Sequence, residues 1–354
     1  MTSADPSIAV PAPLVVRRRA RLGAGWLLAG SGAVAGATVL GLAIGPVDLG
    51  FVEVLRELLW FDSALTDTQR TILWEIRFPR VVLGLLVGAT LSLSGAAYQG
   101  VFRNPLADPY LLGSAAGAGL GVTIVIISSA DGSPTAVAAP VAAFAGALAA
   151  VALTYALGAA GGARPSTASL ILAGVAVTSF LTAAQIYLQQ RHLDTIRQVY
   201  SFILGGLSTA GWREVWILLP YASVSAVVLL AYRRSLDVLA VGDGEASKLG
   251  LPARRTRLIV VAMASLGTAA AVAVSGLIAF VGIIVPHTVR LLAGGSHRVI
   301  LPLSILFGGA FLALADLLAK TLSSPAELPL GVVTAFFGAP FFVLVLRTSR
   351  KGVL

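Results

Sequence analysis

The sequence predicts an all-α, polytopic membrane protein with about ten transmembrane helices per subunit. Three observations predict it: 57% of the residues are hydrophobic, only 12% are charged, and the mean hydropathy is +0.91. Soluble domains carry about 25% charged residues, so this composition belongs to a membrane protein. The 38 glycines agree with it, because helices in lipid pack closely through small residues.

The predicted spans are apolar windows of about 20 residues, the length of helix that crosses ~30 Å of hydrocarbon. They lie at 22–44, 81–101, 110–128, 135–160, 168–188, 214–232, 258–278, 280–293, 300–319 and 330–346. The eighth window is short and contains Pro286, which predicts a broken or steeply bent helix. A stretch at 195–207 is too short to cross and is predicted to be an interfacial helix. Residues 1–20 are predicted to be a cytoplasmic tail, and 21–354 a single transmembrane domain.

The basic residues predict the orientation. The connecting segments on one side of the membrane hold roughly twice as many Lys and Arg residues as those on the other side. The richer side includes Arg17-Arg18-Arg19 and the basic residues of the segment 233–257. By the positive-inside rule both termini are then cytoplasmic, in a bacterial cytoplasmic (inner) membrane. The first apolar run resembles a signal peptide, but its length and the spans that follow predict an uncleaved helix. The net charge of +9 is explained by this arrangement, so no nucleic-acid partner is predicted.

The residue inventory argues against catalysis and ion coupling. The absence of Cys excludes disulfides and thiol chemistry, and three His with two Met leave little for a metal site, so we predict no metal and no cofactor. Apart from Glu214, the first residue of the sixth window, Asp316 is the only carboxylate inside the predicted spans, whereas ion-coupled transporters usually need such ligands near the midplane. A secondary transporter is therefore the disfavoured alternative, as is a membrane enzyme or scaffold. The energy for transport must come from another subunit.

The polar segment 233–257 is the best candidate for contact with such a subunit. It lies between long apolar runs and contains an E-A-x-x-x-G-x-P pattern from Glu245 to Pro252. A short helix ended by Gly250 can sit in a groove on a soluble motor, while the surrounding arginines hold the loop at the inner face.

Three further features have both a functional and a structural interpretation. The loop 102–113 contains Pro105 and Pro109 and forms either a hairpin turn or a constriction of a pathway. On the outer side, one cluster of cations provides either interfacial anchoring or a docking site for carboxylates of an external partner: Arg77, Arg80 and Lys320. Two helix faces carry small and polar residues that suit either packing or pore lining: Gly174, Thr178, Thr182 and Gln185 on one, and Thr334 and Gly338 on the other.

The order of these motifs closely resembles that of the FecCD/BtuC family of permeases, the type II importers of ferric siderophores, haem and vitamin B12. The resemblance runs from about residue 20 to the C-terminus. It rests on Arg77-Phe-Pro-Arg80, Asn104-Pro-Leu-Ala-Asp-Pro109, Glu245 to Pro252, Gly282-Ile-Ile-Val-Pro286-His287 and Glu327-Leu-Pro-Leu-Gly331. Each motif alone is weak, and the combination is specific.

The resemblance implies a BtuC-like permease that works as a pair, either a homodimer or a heterodimer with a related permease. Two ATP-binding-cassette (ABC) subunits would sit below it, and a periplasmic or lipoprotein substrate-binding protein would dock above. Arg77, Arg80 and Lys320 resemble the docking cations, although Lys320 stands where an Arg is usual and lacks its bidentate fork. Reversing the charge of Arg77 and Arg80 is then expected to weaken docking without unfolding the chain.

The remaining roles are also implied by the resemblance. The segment 237–252 resembles the coupling helices, with the contact residues Asp237, Glu245, Ala246, Lys248, Leu249, Gly250, Leu251 and Pro252. The inner gate corresponds to Asn104, Leu106, Ser166 and Thr167. The fifth and tenth spans resemble the lining of the path. The expected cargo is a ferric siderophore, with haem or cobalamin as the alternatives.

Overall fold

The computed structural model describes residues 22–129, 137–160, 167–324 and 326–351. The described chain is helical. Its helices are α1 (Ala24–Ala43), α2 (Phe51–Leu58), α3 (Asp67–Thr71), α4 (Phe78–Phe102), α5 (Ser114–Ser128), α6 (Ala138–Ala159), α7 (Thr167–Arg191), α8 (Ile196–Ile203), α9 (Trp212–Ala231), α10 (Arg233–Leu239), α11 (Asp243–Lys248), α12 (Ala253–Ser275), α13 (Val281–Ala293), α14 (His297–Thr321) and α15 (Leu330–Lys351). The predicted tail lies outside the described residues.

All ten predicted windows coincide with helices, so the predicted fold class is confirmed. Within the described ranges, seven helices are long and apolar enough to cross a membrane, and α5, α13 and α15 provide shorter apolar segments. The predicted interfacial helix is α8. The second span is longer than predicted, because α3 and a π-helical turn at Ile72–Arg77 extend α4 outward from Asp67 without a break.

The centre of the bundle is α4, which packs against α9, α12, α13 and α14. Two glycines allow the backbones to touch there. A Cβ on Gly88 would overlap the carbonyl of Gly308 in α14, and a Cβ on Gly95 would overlap that of Gly282 in α13. Close approach through small residues is the usual way in which helices pack in lipid.

The eighth span is short as predicted, but its break is not at Pro286. Helix α13 runs through Pro286, and the non-helical stretch precedes the helix at 276–280, where Gly276 and Phe280 have positive φ. Pro286 has no N–H to donate to the carbonyl of Gly282, one turn earlier. The Gln99 side chain donates to that carbonyl instead, with Nε2 3.3 Å from the oxygen. A freed carbonyl inside a membrane needs such a replacement.

The connections between helices gather at two ends of the bundle. The α2 end comprises 44–77, 192–211 and the described part of 322–329, and the α11 end comprises 103–113, 232–252 and 294–296. The sequence windows did not reveal α2 and α3, because both are shorter than a span and contain several charged residues.

Candidate functional site

The predicted coupling segment forms two short helices at the α11 end, α10 and α11. Gly242 precedes α11 with φ +109°, and Gly250 follows it with φ +80°. Both angles lie in the region that glycine reaches without strain. The two glycines therefore define the ends of α11 and turn the chain back toward α12.

Helix α11 has one buried face, which packs against the protein, and one exposed face. Ala246 is fully buried in the core, whereas Glu245 and Lys248 are exposed and form an ion pair at 2.8 Å. Leu249 is 70% exposed at the tip. Of the other predicted contact residues, Gly250 and Pro252 are exposed and Leu251 is half-buried. Leu249 and the Glu245–Lys248 pair therefore lie together on the exposed side of this segment, and the ATPase-contact role of these residues stays a prediction.

Asp243 fixes α11 to the bundle. Both of its carboxylate oxygens accept hydrogen bonds from Arg257 of α12, each at 2.8 Å. Arg103, at the end of α4, lies 3.6 Å from the same carboxylate. Asp243 therefore links α11 directly to two central helices, α12 and α4.

Asp237 fixes α10 in a similar way and does not project outward. Its carboxylate accepts from Ser296 Oγ at 2.7 Å and from the backbone N–H of His297 at 2.6 Å. Burial raises the pKa of Asp237, but the hydrogen bonds from His297 and Ser296 outweigh burial and hold the pKa below its ordinary value. The residue that sequence analysis assigned to ATPase contact caps the first turn of α14.

The predicted gate loop is held by its own hydrogen bonds. Asn104 Oδ1 accepts from the N–H of Leu106 at 3.0 Å, which closes a tight Asx-type turn. Arg103, just before it, has a left-handed φ of +51°. Of the other two gate residues, Ser166 lies outside the described residues, and Thr167 begins α7.

Tyr110 ties this loop to the break before α13. Its hydroxyl donates to the Ile278 carbonyl at 3.0 Å and accepts from the Ile278 N–H at 3.2 Å. Asp108 Oδ1 accepts from the Tyr110 N–H at 2.7 Å. Burial raises the pKa of Asp108 to about 6. The loop and the broken span are thus one connected unit.

The polar face of α7 packs inside the subunit. Gly174 is buried against the backbone of Leu111, and Gln185 is buried beside Gly119 of α5. Thr178 and Thr182 are half-buried on the same face. The rest of the α7 surface includes exposed apolar residues: Leu172, Val175, Phe180 and Ile186.

Helix α15 repeats this arrangement. Thr334 is fully buried and donates to the Gly331 carbonyl at 3.1 Å, and Gly338 lets the helix pass the ring of Phe280. Its exposed face carries Phe336 and Phe337. The six predicted path-lining residues therefore all have neighbours within their own subunit, and their path-lining role stays a prediction.

The three predicted docking cations lie close together at the α2 end, but their donors face inward. Arg77 is only 5% exposed and donates to the carbonyls of Leu42, Ala43 and Val47 at the end of α1. Lys320 is also 5% exposed, and its Nζ donates to the Gly41 carbonyl at 2.7 Å. These two side chains cap the last turn of α1, where carbonyls have no helical partners.

Arg80 joins two carboxylates. Its guanidinium pairs bidentately with Asp316 at 2.9 Å and with Glu327 at 2.7 and 2.9 Å, so that α4, α14 and the segment before α15 meet in one network. The hydrogen bonds from Arg80 lower the pKa of Glu327, although burial opposes them. The docking role of the three cations stays a prediction, and the geometry gives them a structural role.

The residues that sequence analysis missed are the partners of those it found. Asp316 stood out as the one carboxylate beyond the first residue of a predicted span, which was a usable signal for a buried ion pair. Asp243 and Tyr110 gave no such signal, because their partners are distant in sequence.

The described residues form a membrane-type bundle of ten apolar helices, one of which is preceded by a non-helical stretch. A protein-family model described as the FecCD transport family matches residues 30–348. The chain belongs to this family, the permeases of type II ABC importers.

Curated relatives cover most of the chain. The cobalamin import system permease protein BtuC of Halobacterium salinarum is 44% identical over 288 residues, which are 81% of this chain and 76% of that relative. The hemin transport system permease protein HmuU of Yersinia pestis is 37% identical, covering 88% of this chain and 93% of the relative. The Fe(3+)-citrate import system permease protein YfmD of Bacillus subtilis is 35% identical, covering 88% and 91%.

A solved structure has the same fold. It is described as an inward-facing conformation of a metal-chelate type ABC transporter, and it superposes with a TM-score of 0.80 at 27% identity. The match covers 91% of this chain and 98% of that one. The BtuC-like architecture expected from the sequence is therefore confirmed.

Proposed function

We propose that this chain is the permease subunit of an ATP-driven importer that moves a metal chelate, such as a ferric siderophore, across the cytoplasmic membrane. ATP hydrolysis takes place on two separate ABC subunits, and the chain has no catalytic site of its own. Both termini and the α11 end face the cytoplasm, as the distribution of basic residues predicts.

The observation that carries this proposal is the geometry of α11. An exposed patch of Glu245, Lys248 and Leu249 stands on a helix that Asp243 fixes to α12 and α4. A rigid helix with an exposed tip can receive a push from a soluble subunit and pass it to the centre of the bundle. The proposed stroke changes the tilt of the helices next to the gate loop at 104–106.

Co-purification in mild detergent tests this coupling. The tagged permease should bring an ABC subunit with it. Glu245→Arg should lose that subunit, because the new positive charge at position 245 adds to those of Lys248 and Arg254 near the tip. The matched control is Glu75→Arg, the same change at an exposed residue of the α2 end, and it should keep the ABC subunit. Uptake driven by an ion gradient without ATP would contradict the proposal.

We further propose that a substrate-binding protein docks at the α2 end, around the Arg77, Arg80 and Lys320 cluster. Because Arg77 and Lys320 are buried and the Arg80 side chain is only 12% exposed, the accessible part of this cluster is Glu327, whose side chain is 35% exposed and holds Arg80 in place. Glu327→Lys places a second cation beside Arg80 and should displace it, so capture of the binding protein should change more than in Lys320→Arg, which keeps the buried charge. Equal capture by both variants would remove the cluster from the docking surface.

The transport path is proposed to form between two permease copies, with α7 and α15 lining it and 104–106 and 166–167 as its inner gate. The faces of α7 and α15 that are exposed in one copy are apolar, and in the membrane they can contact a second copy as well as lipid. Cysteines introduced at Phe180 and Phe336 should crosslink between two copies in the membrane. Cysteines at Leu28 in α1, equally apolar and exposed, provide the control and should not crosslink.

One observation favours a second cargo. The relative that is 44% identical imports cobalamin by its printed name, whereas those with iron-containing cargo are 37% and 35% identical. Uptake of radiolabelled ferric siderophore and of radiolabelled cobalamin by vesicles that contain the complete complex would decide between the two cargoes.

A further inference from the structure

The short helix α2 has three distinct faces. At about 100° per residue, Phe51, Val52, Leu55 and Leu59 fall within one sector of roughly 100°. All four are exposed. Val54 and Leu58 lie on the face that packs against the protein, and Glu53 and Arg56 lie between the two faces, paired at 3.1 Å. One side of α2 therefore packs on the protein, a second side is polar and suits water, and the third side is apolar and needs an apolar environment outside the chain.

The turn after α2 extends the apolar sector. Trp60 is 92% exposed and Phe61 is 66% exposed. Trp60 also has φ +62°, a left-handed conformation that is uncommon for a bulky residue. The N–H of Phe61 closes this turn on the Arg56 carbonyl at 2.9 Å. This left-handed residue and its 6→1 hydrogen bond form a common helix-ending turn, and the turn leaves two large aromatic side chains pointing outward next to the apolar sector.

The depth of α2 along the bundle identifies that partner. Helix α1 has 20 residues, which span about 30 Å, so its last turn marks the edge of the hydrocarbon. Arg77 binds that last turn through the carbonyls of Leu42 and Ala43. Helix α2 contacts Arg70 and Trp74 through Glu57, three to seven residues farther out on the same continuous helix. It therefore lies about 5–10 Å beyond the hydrocarbon edge, at the depth of the lipid headgroups.

Other aromatic residues mark the same depth. Trp212 Nε1 donates to the Trp74 carbonyl at 3.1 Å, and Trp216, one turn inward on α9, is exposed. Tryptophans concentrate at the membrane interface because their rings are apolar and their N–H is polar. Trp60 completes this belt from the side of α1.

We propose that α2 and the Trp60-Phe61 turn form an interfacial anchor that inserts its apolar sector into the phospholipid interface at the α2 end. The polar side of the helix, with Glu53 and Arg56, then faces water. Glu57 is turned inward, where Ser63 and Trp74 donate hydrogen bonds to its carboxylate and Arg70 pairs with its charge, so no unpaired carboxylate of α2 faces the lipid. The anchor would hold the end of α1, and with it the Arg77 and Lys320 contacts, at a fixed depth. It is independent of the cargo and of the ATPase.

Spin labelling tests the proposal directly, because the chain contains no Cys that would have to be removed. Single-cysteine variants Leu55→Cys and Trp60→Cys report the apolar sector, and Arg56→Cys, on the neighbouring polar side, is the control. Each full-length variant is labelled and reconstituted in vesicles of phosphatidylcholine and phosphatidylglycerol. Collisions with oxygen, which concentrates in lipid, are compared with collisions with a water-soluble nickel chelate.

The expected result is a severalfold higher oxygen-to-nickel ratio at residues 55 and 60 than at 56. Equal nickel access at all three positions would place the sector in water and overturn the proposal. Protection of 55 and 60 from both reagents would show that a protein surface covers the sector, which would also overturn it. Leu59→Cys, in the same sector, replaces either variant if that variant does not give monodisperse protein.

Discussion

Charged residues brace helices at both ends of the bundle, but only at the α11 end does the brace carry a helix with an exposed patch that the proposed function uses. At the α2 end, Arg77, Arg80 and Lys320 are turned inward and hold helix ends together. At the α11 end, Asp237 and Asp243 are used for bracing, and a helix with an exposed charged pair stands on that brace. The comparison teaches that a charged residue at a helix end of this protein can serve to hold helices together. A candidate contact surface is therefore identified by the exposure of its side chains and not by their charge alone.

The largest effect is expected from breaking the ion-pair network around Arg80 at the α2 end. Arg80→Glu would put a third carboxylate beside Asp316 and Glu327 in a mostly buried site. Breaking a buried pair by removing one partner costs about 3–5 kcal/mol, and reversal of the charge costs at least as much. We expect loss of monodisperse protein, or a large fall in the unfolding temperature in detergent. The structure thereby changes the expectation that the Arg77→Glu and Arg80→Glu variant folds.

The control is an arginine at the same end with an exposed side chain. Arg213→Glu, in the first turn of α9, should change the free energy of unfolding by no more than about 0.5 kcal/mol. If Arg80→Glu proved as stable as Arg213→Glu, the contrast between the two ends would be wrong, and the outer cations would again be available for docking.

A smaller effect is expected from the brace at the α11 end. Asp243→Ala leaves the Arg257 guanidinium, which is largely buried, without its two hydrogen bonds. An unsatisfied buried group costs about 1–3 kcal/mol, so the chain should still fold. The tie from α11 to α12 is lost, and substrate uptake per ATP hydrolysed should fall in vesicles that contain the complete complex.

Asp243→Asn is the matched control for this prediction. Its amide oxygen still accepts one hydrogen bond from Arg257, so uptake per ATP should lie between those of the native protein and Asp243→Ala. An Asp243→Ala variant with native coupling would show that α11 transmits force by another route.

Hydropathy was enough to predict the ten helical segments, since a run of about 20 apolar residues has few other structures available to it. It did not predict α2, whose three exposed apolar residues, Phe51, Val52 and Leu55, are interrupted by Glu53 and followed by Arg56 and Glu57. Spacing correctly placed Gly174, Thr178, Thr182 and Gln185 on one face of α7. Spacing could not show whether that face points into the subunit or away from it. Lipid and protein interior are equally apolar, so hydrophobic periodicity does not distinguish the two sides of a membrane helix.

The roles of the charged residues were the hardest to predict. Arg80 and Asp316 are 236 residues apart, and neither carries a local mark of its partner. The sequence shows a cation at a helix end but gives no measure of its burial. The same limit applies to Asp237, which lies in a polar segment and still caps a membrane helix.

The two ends should also differ in their response to pH. At the α11 end, burial raises the pKa of Asp108 to about 6 from its ordinary value of 3.8. Between these values the folded chain holds a proton that the unfolded chain releases, so stability falls as pH rises through this window. Asp108→Asn keeps an oxygen to accept from the Tyr110 N–H and removes the titration. It should stabilise the protein by about 1–3 kcal/mol near neutral pH and leave it unchanged in acid. Unfolding temperatures at about pH 4 and 7.5 test this, and a variant less stable than the native protein at 7.5 would contradict it.

The smallest effect has the opposite sign and comes from the α2 end. The hydrogen bonds from Arg80 lower the pKa of Glu327 below its ordinary value of 4.5, so their stabilisation is fully present above that value and is lost as pH falls through the folded-state pKa. Because Glu327 is partly exposed, Glu327→Gln should cost only about 0.2–1 kcal/mol at neutral pH. The difference from the native protein should disappear in acid. Glu75→Gln, at an exposed residue of the same end, should change the unfolding temperature at neither pH. If Glu327→Gln and Asp108→Asn changed stability in the same direction at neutral pH, the two ends would not differ in the sign of their pH dependence. Charge pairing would then not explain the inward-facing network around Arg80.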